Sequence, residues 1–223
     1  MKVIFLGYRE WALNAFAEIK HHSKIKKYKI CMSDEELLLN DLNDYDLLIT
    51  LGWSDELGED ITSKIKAIGL HCAELDRYSY GTPIQNQIID GIKVTKHRIF
   101  PFIWDPKSKR AHTHTREFSH EVDLSLEGSM EDIFQELSKT SIILLSKFLN
   151  DFPNIKYIKW DEETEISKAR IPSDSKLSLE TFNKMNTEEL YNFIRCLEDP
   201  YPNAFIEDEV GTISFKKVAF KKK

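Results

Sequence analysis

Residues 46–71, which read DLLITLGWSDELGEDITSKIKAIGLH, hold two short apolar runs on either side of a polar stretch. Asp46–Leu51 and Ala67–His71 are short, mainly apolar and followed by a glycine or a loop, a pattern typical of strands buried on both faces. The polar stretch between them predicts a short helix over Asp60–Ile65. Because neighbouring parallel strands need such a crossover, residues 46–71 predict a strand–helix–strand unit of a parallel sheet.

The alternation of strand and helix patterns continues on both sides of this unit. In Glu10–Ile19 apolar residues recur at helical spacing, and in Thr82–Asp90 a proline stands in the first turn, where its missing N–H does no harm. We predict an α/β fold with a Rossmann-like, mostly parallel sheet and helices on both faces. The other predicted strands are Lys2–Gly7, Tyr28–Met32, Val94–Phe102 and His112–Leu124, and the other predicted helix begins at Ser129 and ends near Leu149.

The pattern changes after residue 153, where the regular alternation of strands and helices ends. We predict a larger domain over residues 1–153 and a small C-terminal α+β appendage over residues 154–223. In the appendage the predicted elements are a strand at Ile155–Trp160, a helix at Asn186–Leu197 and a hairpin of Ala204–Ile206 with Thr212–Phe220.

The overall charge argues against a nucleic-acid partner. The 223 residues carry a formal net charge of −6, whereas nucleic-acid-binding domains usually present a basic surface. Lys216, Lys217 and residues 221–223 form a local basic run, which we interpret as a solvated tail. We expect no nucleic acid among the partners.

The cysteines and the apolar runs indicate a reducing compartment. Cys31, Cys72 and Cys196 are odd in number and form no C-x-x-C pair, so neither a disulfide framework nor a zinc site is indicated. The apolar run at residues 3–6 is too short for a signal peptide, and no run reaches membrane-spanning length. We expect a cytoplasmic protein without a membrane partner.

His71 is the first candidate for chemistry, because it stands where a central strand ends and a loop begins. The carboxyl ends of parallel strands are where ligands bind, and a histidine there titrates near neutral pH. A structural, hydrogen-bonded histidine is the alternative. Cys72 beside it is either a nucleophile or a small buried thiol. We favour the thiol, because adjacent strand residues point to opposite faces and the pair would not bond easily.

Three further histidines, His112, His114 and His120, alternate on one predicted strand and would share one face. A metal site is one interpretation and a polar, solvent-facing strand is the other. We favour the second, because no acidic residue or cysteine stands at ligand spacing, and we expect no metal. The sequence also contains no G-x-G-x-x-G, G-x-x-x-x-G-K-[ST], G-x-S-x-G or H-E-x-x-H motif.

The segment HCAELDRYSYGTPI, residues 71–84, resembles the HPSLLPxYRGxxPI segment of the formyltransferases that use N10-formyltetrahydrofolate. The start of the chain, MKVIFLGYREWALNAFAEI, is similar to the first strand and helix of that family, and Asp46–Gly52 is similar to the strand leading into its folate loop. Three tail segments, KARIPSD (168–174), FIR (193–195) and DPYPNAF (199–205), resemble the R-x-P-x-D, IRA and DPYPGAF pattern of methionyl-tRNA formyltransferase and the nucleotide-sugar N-formyltransferases. The resemblance spans most of the chain.

The resemblance implies an N-formyltransferase in which His71 lies at the reacting carbonyl. In this family an amine attacks the formyl carbon, a histidine steadies the developing oxyanion or moves a proton, and an asparagine and an aspartate assist it. Preorganised donors of this kind contribute about 3–4 kcal/mol each. Here Gly69 stands at the asparagine position, and no D-x-G follows Phe102. Asp105 is the best candidate to pair with His71, and an Asp-Pro turn residue is the alternative.

The same resemblance implies two substrate sites. Leu51, Gly52 and Trp53 fall where the backbone of the family holds the pterin of N10-formyltetrahydrofolate, the co-substrate, although Trp53 also suits a cap on the core. On the acceptor side, an arginine suits a pyrophosphate because its planar fork meets two oxygens, and an exposed stacked Arg–Tyr pair is the alternative. The residues implied at the acceptor site are Arg77, Tyr78, Tyr80, Gly81 and Thr82.

The short C-terminal tail and the acidic net charge of the chain indicate the class of amine acceptor. Methionyl-tRNA formyltransferases are longer and generally carry a larger, basic C-terminal domain. The acidic net charge of this chain, by contrast, disfavours binding of a phosphate-rich RNA. The resemblance therefore implies a nucleotide-linked amino sugar, on the pathway to a surface polysaccharide, and it admits a homodimer. Two alternatives stay open: a catalytically degenerate member that binds folate or nucleotide sugar without turnover, and a methionyl-tRNA formyltransferase-like enzyme with another amine acceptor.

Overall fold

The structure is a computed structural model that describes residues 1–73, 75–78, 81–105, 110–112, 117–159 and 168–221, with the backbone alone at residues 75, 76, 104, 105 and 110–112. The strands are β1 (Lys2–Leu6), β2 (Lys27–Cys31), β3 (Leu47–Thr50), β4 (Ala67–His71), β5 (Val94–Asp105), β6 (Arg110–His112), β7 (Glu117–Phe118), β8 (Glu121–Ser125), β9 (Ile158–Lys159), β10 (Ala204–Glu207) and β11 (Thr212–Phe215). The helices are α1 (Glu10–Ile19), α2 (Asp34–Leu38), α3 (Glu59–Thr62), α4 (Leu75–Tyr78), α5 (Pro83–Ile89), α6 (Met130–Asp151), α7 (Leu179–Lys184) and α8 (Thr187–Arg195).

One sheet of seven strands organises the fold. Its order is β2-β1-β3-β4-β5-β6, and β8 pairs with β5. The first four strands in this order are parallel to one another, whereas β5 is antiparallel to β4 and β6 is antiparallel to β5. The predicted mostly parallel sheet is therefore confirmed, and the strand–helix–strand unit predicted for residues 46–71 is β3, α3 and β4.

Each face of the sheet has its own core, because alternate residues of a strand point to opposite sides. Val3 and Phe5 of β1 pack in one core with residues of α1 and α6. Ile4 and Leu6 of the same strand pack in a second core with residues of α2 and α3. This arrangement confirms the prediction that helices cover both faces.

Some elements differ from the sequence prediction. The strand predicted over Val94–Phe102 continues to Asp105, and the single strand predicted over His112–Leu124 is replaced by the short strands β6, β7 and β8. The helices α2, α4 and α7 were not predicted. For α2 the signal was present, since Ser33 accepts a hydrogen bond from the backbone N–H of Glu36 at 3.2 Å, as an N-cap serine does.

The chain divides into two compact units, and each of them takes several stretches of sequence. The predicted division into residues 1–153 and 154–223 stays a prediction. The first unit comprises Met1–Cys72, Lys96–Leu124 and Gln135–Glu162, and the second comprises Ala73–Thr95, Ser125–Phe134 and Glu163–Lys223.

The second unit contains the predicted helix and hairpin of the C-terminal region. Asn186 caps α8 by accepting hydrogen bonds from the N–H groups of Glu188 and Glu189, and Glu189 accepts one from Asn186 in return. Strands β10 and β11 pair antiparallel, with Ile206 opposite Ile213. Across the described ranges, no helix is both long and apolar enough to cross a membrane.

Candidate active site

Three chain segments meet at one edge of the sheet in the first unit. Strands β1, β3 and β4 lie side by side. Residues 7–9 follow β1 and residues 51–54 follow β3, while β4 ends at His71 and is followed by Cys72. Because the three strands are parallel, their carboxyl ends lie at the same edge, where sheets of this kind bind ligands. The strand predicted over Ala67–His71 is confirmed residue for residue.

His71 is half-buried at the end of β4 and lies beside a fixed ion pair. It is paired with Arg98 of β5, and its ring packs edge-on to Phe100 with 6.3 Å between ring centroids. Arg98 donates from Nε to Glu121 at 2.8 Å, and its guanidinium lies 4.6 Å from the ring centre of Phe118. Paired residues of antiparallel strands share a face, so Arg98 and His71 are neighbours on it. Arg98 was not predicted from the sequence.

A second histidine, His97, is buried in the same region and was also missed. Its Nδ1 lies 2.8 Å from the hydroxyl of Thr140, and that hydroxyl donates to the carbonyl of Glu136 at 2.8 Å. Since the hydroxyl proton is used there, Nδ1 of His97 carries the proton of this contact. Burial, with a smaller effect of His71, lowers the pKa of His97 to about 3. His97 is therefore neutral at physiological pH and adds no charge near His71.

Cys72 is not a thiolate in this environment. Desolvation by burial raises its pKa to about 12, while the positive charge of Arg9 acts weakly in the opposite direction. A thiol with such a pKa is a poor nucleophile at neutral pH. Cys72 is half-buried by its accessible surface, and the raised pKa supports the interpretation of an unreactive thiol over that of a nucleophile.

The segment of residues 51–54 begins with a core residue and continues into a turn at the edge of the sheet. Leu51 is 1 % exposed and belongs to the core shared with α1. Gly52 has a φ of +62°, and a Cβ there would lie 3.1 Å from the side chains of both Arg9 and Ala12. Trp53 packs against the other core, which supports its role as a cap, yet its indole Nε1 is buried without a hydrogen-bond partner among the described residues.

The position of Gly69 is closed by an aromatic ring. A Cβ at this residue would lie 2.6 Å from Cε2 of Phe102 and 3.0 Å from the hydroxyl of Thr50. The side-chain donor that the resemblance implies at this position therefore has no room beside Phe102. The catalytic role assigned to Gly69 stays a prediction, and only its backbone is available for that role.

Asp105 is the last residue of β5, and only its backbone is described. It pairs with Arg110 of β6, seven residues along the strand from Arg98, which is the residue opposite His71. The strand register therefore brings Arg98, and not Asp105, beside His71. An interaction between Asp105 and His71 stays a prediction.

Two of the predicted acceptor-site residues form a stacked pair in the second unit. The guanidinium of Arg77 lies 5.4 Å from the ring centre of Tyr78 and 2.9 Å from a carboxylate oxygen of Asp90. Tyr78 is 1 % exposed and donates from its hydroxyl to the same carboxylate at 2.7 Å. The stacking agrees with the alternative of an Arg–Tyr pair, but the tyrosine ring is buried and not exposed as that alternative had it. Contact with a substrate stays a prediction. Tyr80 lies outside the described residues.

Gly81 and Thr82 are held by the segment of residues 168–170 within the second unit. Thr82 accepts a hydrogen bond from the N–H of Arg170 at 3.2 Å. Gly81 has a φ of +75°, and a Cβ there would lie 2.4 Å from the Cα of Ala169. Both residues therefore have a structural role, and their predicted role in acceptor binding is untested.

The histidine row predicted from the sequence is not one strand. His112 ends β6, His114 lies outside the described residues, and His120 precedes β8. Nε2 of His120 lies 3.0 Å from a carboxylate oxygen of Asp151. Within the described part of the chain, no group of three metal-binding side chains was found.

Comparison with known proteins found solved structures with a similar fold. No model of a protein family and no curated protein matches the sequence. A methionyl-tRNA formyltransferase from Clostridium thermocellum is 23 % identical and superposes with a TM-score of 0.82, over 99 % of this chain and 94 % of that one. A sugar N-formyltransferase from Shewanella is 12 % identical with a TM-score of 0.75, over 100 % and 99 %.

A third solved structure carries a folate. HypX from Aquifex aeolicus in complex with tetrahydrofolic acid is 13 % identical with a TM-score of 0.71, over 93 % of this chain and 36 % of that one. Identities this low report on the fold. The chain therefore has the fold of these formyltransferases along its whole length, as its sequence motifs implied.

Proposed function

We propose that the chain is an N-formyltransferase that moves a formyl group from N10-formyltetrahydrofolate to the amine of a nucleotide-linked amino sugar, on a pathway to a surface polysaccharide. The observation that carries the proposal is the position of His71, half-buried at the carboxyl end of β4, in a chain with the formyltransferase fold. A histidine placed in this way is able to hydrogen-bond to a reacting group and to exchange a proton.

The segment after β3 fits a folate. The indole Nε1 of Trp53 is a buried donor without a partner among the described residues, and a pterin ring offers nitrogen and carbonyl acceptors. The absence of a side chain at Gly52 lets the backbone turn tightly against Arg9 and Ala12. We assign the backbone of residues 51–53 and the indole of Trp53 to the formyl donor, which supplies the one-carbon unit when bound.

The chemistry needs a group that steadies negative charge and moves one proton. The acceptor nitrogen forms a bond to the formyl carbon, the bond from that carbon to the donor nitrogen breaks, and a proton passes from the acceptor amine to the donor nitrogen. His71 is the group that we assign to the formyl oxygen or to this proton. The ion pair of Arg98 with Glu121 holds a fixed charged pair on the strand face where His71 lies. His97 is neutral and adds no further charge near His71.

The amino-sugar acceptor is supported by charge and by structural likeness. The chain is acidic, with a net charge of −6, and a sugar N-formyltransferase superposes on all of it. A methionyl-tRNA type of acceptor is the second candidate, because a methionyl-tRNA formyltransferase also superposes, with a TM-score of 0.82. Sedimentation of the free protein will decide whether a homodimer accompanies either activity.

The test mixes the protein with N10-formyltetrahydrofolate and a panel of amino-sugar nucleotides plus methionyl-tRNA, and follows the release of tetrahydrofolate. We expect turnover with one amino-sugar nucleotide, and His71→Gln is expected to lower kcat by about 100- to 1,000-fold with an unchanged melting temperature. His120→Gln is the matched control, since His120 contacts Asp151, and it should retain activity. Binding of folate and nucleotide sugar without turnover would instead identify a degenerate member of the family.

A further inference from the structure

Arg9 lies in the turn between β1 and α1, at the same edge of the sheet as His71. No role was predicted for this arginine from the sequence. It is half-buried, unlike the exposed Tyr8 and Glu10 on either side of it. Its surroundings, all within the first unit, determine what this guanidinium is able to bind.

The side chain of Arg9 is held in place by the segment after β3. Its stem borders Gly52, where a Cβ would lie 3.1 Å from Cβ of Arg9 and 3.3 Å from its Cδ. Its guanidinium lies 5.6 Å from the ring centre of Tyr8, and Nη2 donates to the hydroxyl of Ser54 at 3.3 Å. The Ser54 hydroxyl also lies 2.9 Å from that of Tyr8. A guanidinium fixed in this way loses little conformational freedom when it binds a ligand.

Among the residues that the structure describes, this guanidinium has no carboxylate partner. Within the described residues, no aspartate or glutamate oxygen lies within ion-pair distance of Arg9, whereas Arg77 and Arg98 each pair with an acid. An arginine presents five N–H donors, and the long hydrogen bond to Ser54 uses one of them. Arg9 therefore keeps most of its donors and its whole charge for another acceptor.

Arg9 also lies close to the proposed reaction centre. Its positive charge acts on Cys72, the residue that follows His71. Its stem touches Gly52, which we assign to the formyl donor. An anion bound to Arg9 would therefore belong to a molecule that occupies the strand-end edge beside His71.

We infer that Arg9 binds an oxyanion of a substrate, a carboxylate or a phosphoryl group, through its planar guanidinium. This inference rests on the proposed function, in which both substrates carry such groups: the glutamyl carboxylates of the folate and the diphosphate of the nucleotide sugar. Arg9 is then a specificity-determining residue that holds one of the two substrates and does not take part in the transfer of the formyl group.

The test compares Arg9→Gln, which removes the charge, with Arg9→Lys, which keeps it. We expect Arg9→Gln to raise KM for one substrate by about 10- to 100-fold with kcat nearly unchanged, and Arg9→Lys to recover part of the loss. Lys20→Gln is the matched control, because Lys20 is a cation at the other end of α1 that lies 5.7 Å from the ring centre of Tyr28. It should leave both KM values unchanged.

Binding measurements separate this inference from the proposed function. Isothermal titration of each variant with 5-formyltetrahydrofolate, with a nucleoside diphosphate and with inorganic pyrophosphate needs no turnover. Loss of folate affinity in Arg9→Gln assigns Arg9 to the carboxylates, and loss of nucleotide and pyrophosphate affinity assigns it to the phosphates. Either loss in a protein without turnover would uphold the inference and reject the proposed function. Affinities equal to those of the unsubstituted protein, or no binding by that protein, would overturn the inference.

Discussion

Arg9 in the first unit and Arg195 in the second show two uses of the same side chain. Arg195 is 5 % exposed, and it donates from Nη1 to the carbonyls of Leu126 and Gly128 at 2.7 and 2.9 Å and from Nε to Asn192 at 2.9 Å. Arg9 is half-buried, and its side chain makes one long hydrogen bond to the part of the chain that the structure describes. Arg195 belongs to a tail motif of the family resemblance, whereas Arg9 lies in the opening segment that resembles the first strand and helix of the family, and no functional role was predicted for it.

The difference teaches that a recognisable motif is not the same as a functional site. The donors of Arg195 are directed mainly to backbone carbonyls. Burial lowers the pKa of Arg195, which means that desolvation of its positive charge costs free energy in the folded state. Its role is to hold residues 126–128 against α8. At the strand-end edge of the first unit, by contrast, Arg9 and the indole of Trp53 have N–H donors without an acceptor among the described residues. Unused donors at a ligand-binding edge indicate function more directly than motif membership does.

The largest effect that we expect on stability is at Arg195. Arg195→Gln leaves the carbonyls of Leu126 and Gly128 without their donor, which should lower the free energy of unfolding by about 3–5 kcal/mol. The melting temperature should fall by roughly 10 °C, as followed by circular dichroism. Arg9→Gln is the control and should cost less than about 1 kcal/mol. Similar losses at the two arginines would remove the distinction between them.

A smaller effect on stability is expected at Gly69 in the first unit. Gly69→Asn places its Cβ 2.6 Å from the ring of Phe102, so overpacking should cost about 2–3 kcal/mol. In a background with Phe102→Ala the same substitution should cost at least about 1 kcal/mol less, because the ring that it meets is gone. Urea unfolding of the four proteins of this double-mutant cycle measures the coupling. Purely additive losses would mean that Phe102 does not exclude an asparagine.

The fold could be predicted from the sequence because its central strands carry unambiguous patterns. Asp46–Leu51 and Ala67–His71 read as short buried strands, and the structure has β3 and β4 there. The antiparallel direction of β5 could not be predicted, since alternation of polar and apolar residues specifies burial and not strand direction. The broken strands β6, β7 and β8 were also missed, because one alternating run does not reveal where pairing stops.

The candidate site could be predicted only in part. His71 was found because a histidine at a strand end is visible in the sequence. Arg98 becomes its neighbour through strand pairing, and His97 is buried against Thr140 by tertiary packing, neither of which spacing along the chain shows. The closure of Gly69 by Phe102 likewise depends on the register of β4 and β5. Arg9 lies in a segment that resembles the family only as a strand and a helix, and the feature that distinguishes it, the absence of an acidic partner among the described residues, is visible only in the structure.

The next smaller effect is a difference in stability between two glycine variants, at Gly81 and at Gly91 in the second unit. Gly81 and Gly91 have nearly the same φ, +75° and +78°, but a Cβ at Gly81 would meet Ala169 at 2.4 Å, and one at Gly91 would meet nothing within 4 Å. Gly91→Ala should therefore cost about 1 kcal/mol from backbone strain alone, and Gly81→Ala about 1–2 kcal/mol more. Urea denaturation of both variants measures the difference. Equal costs would show that residues 168–170 do not pack on Gly81.

The smallest effect that we expect is a pH dependence from His97, the histidine whose only assigned contacts are inside the fold. Its pKa is about 3 in the folded protein and near 6.5 in the unfolded chain, so the unfolded state binds the extra proton between these values. Its contribution to stability is therefore complete above pH 6.5 and is lost progressively as the pH falls toward 3.

Urea unfolding at pH 7.0 and pH 5.5 tests this contribution of His97. Over that interval the unsubstituted protein should lose about 1 kcal/mol more stability than His97→Gln, which has no group to protonate at this position. Thr140→Val is a useful companion, because it removes the hydroxyl partner at 2.8 Å and leaves the titrating ring, so it should be less stable at both pH values with the slope retained. An identical pH slope in the protein and in His97→Gln would mean that His97 is accessible to water, and the contrast between an inward histidine and an edge histidine at position 71 would then fail.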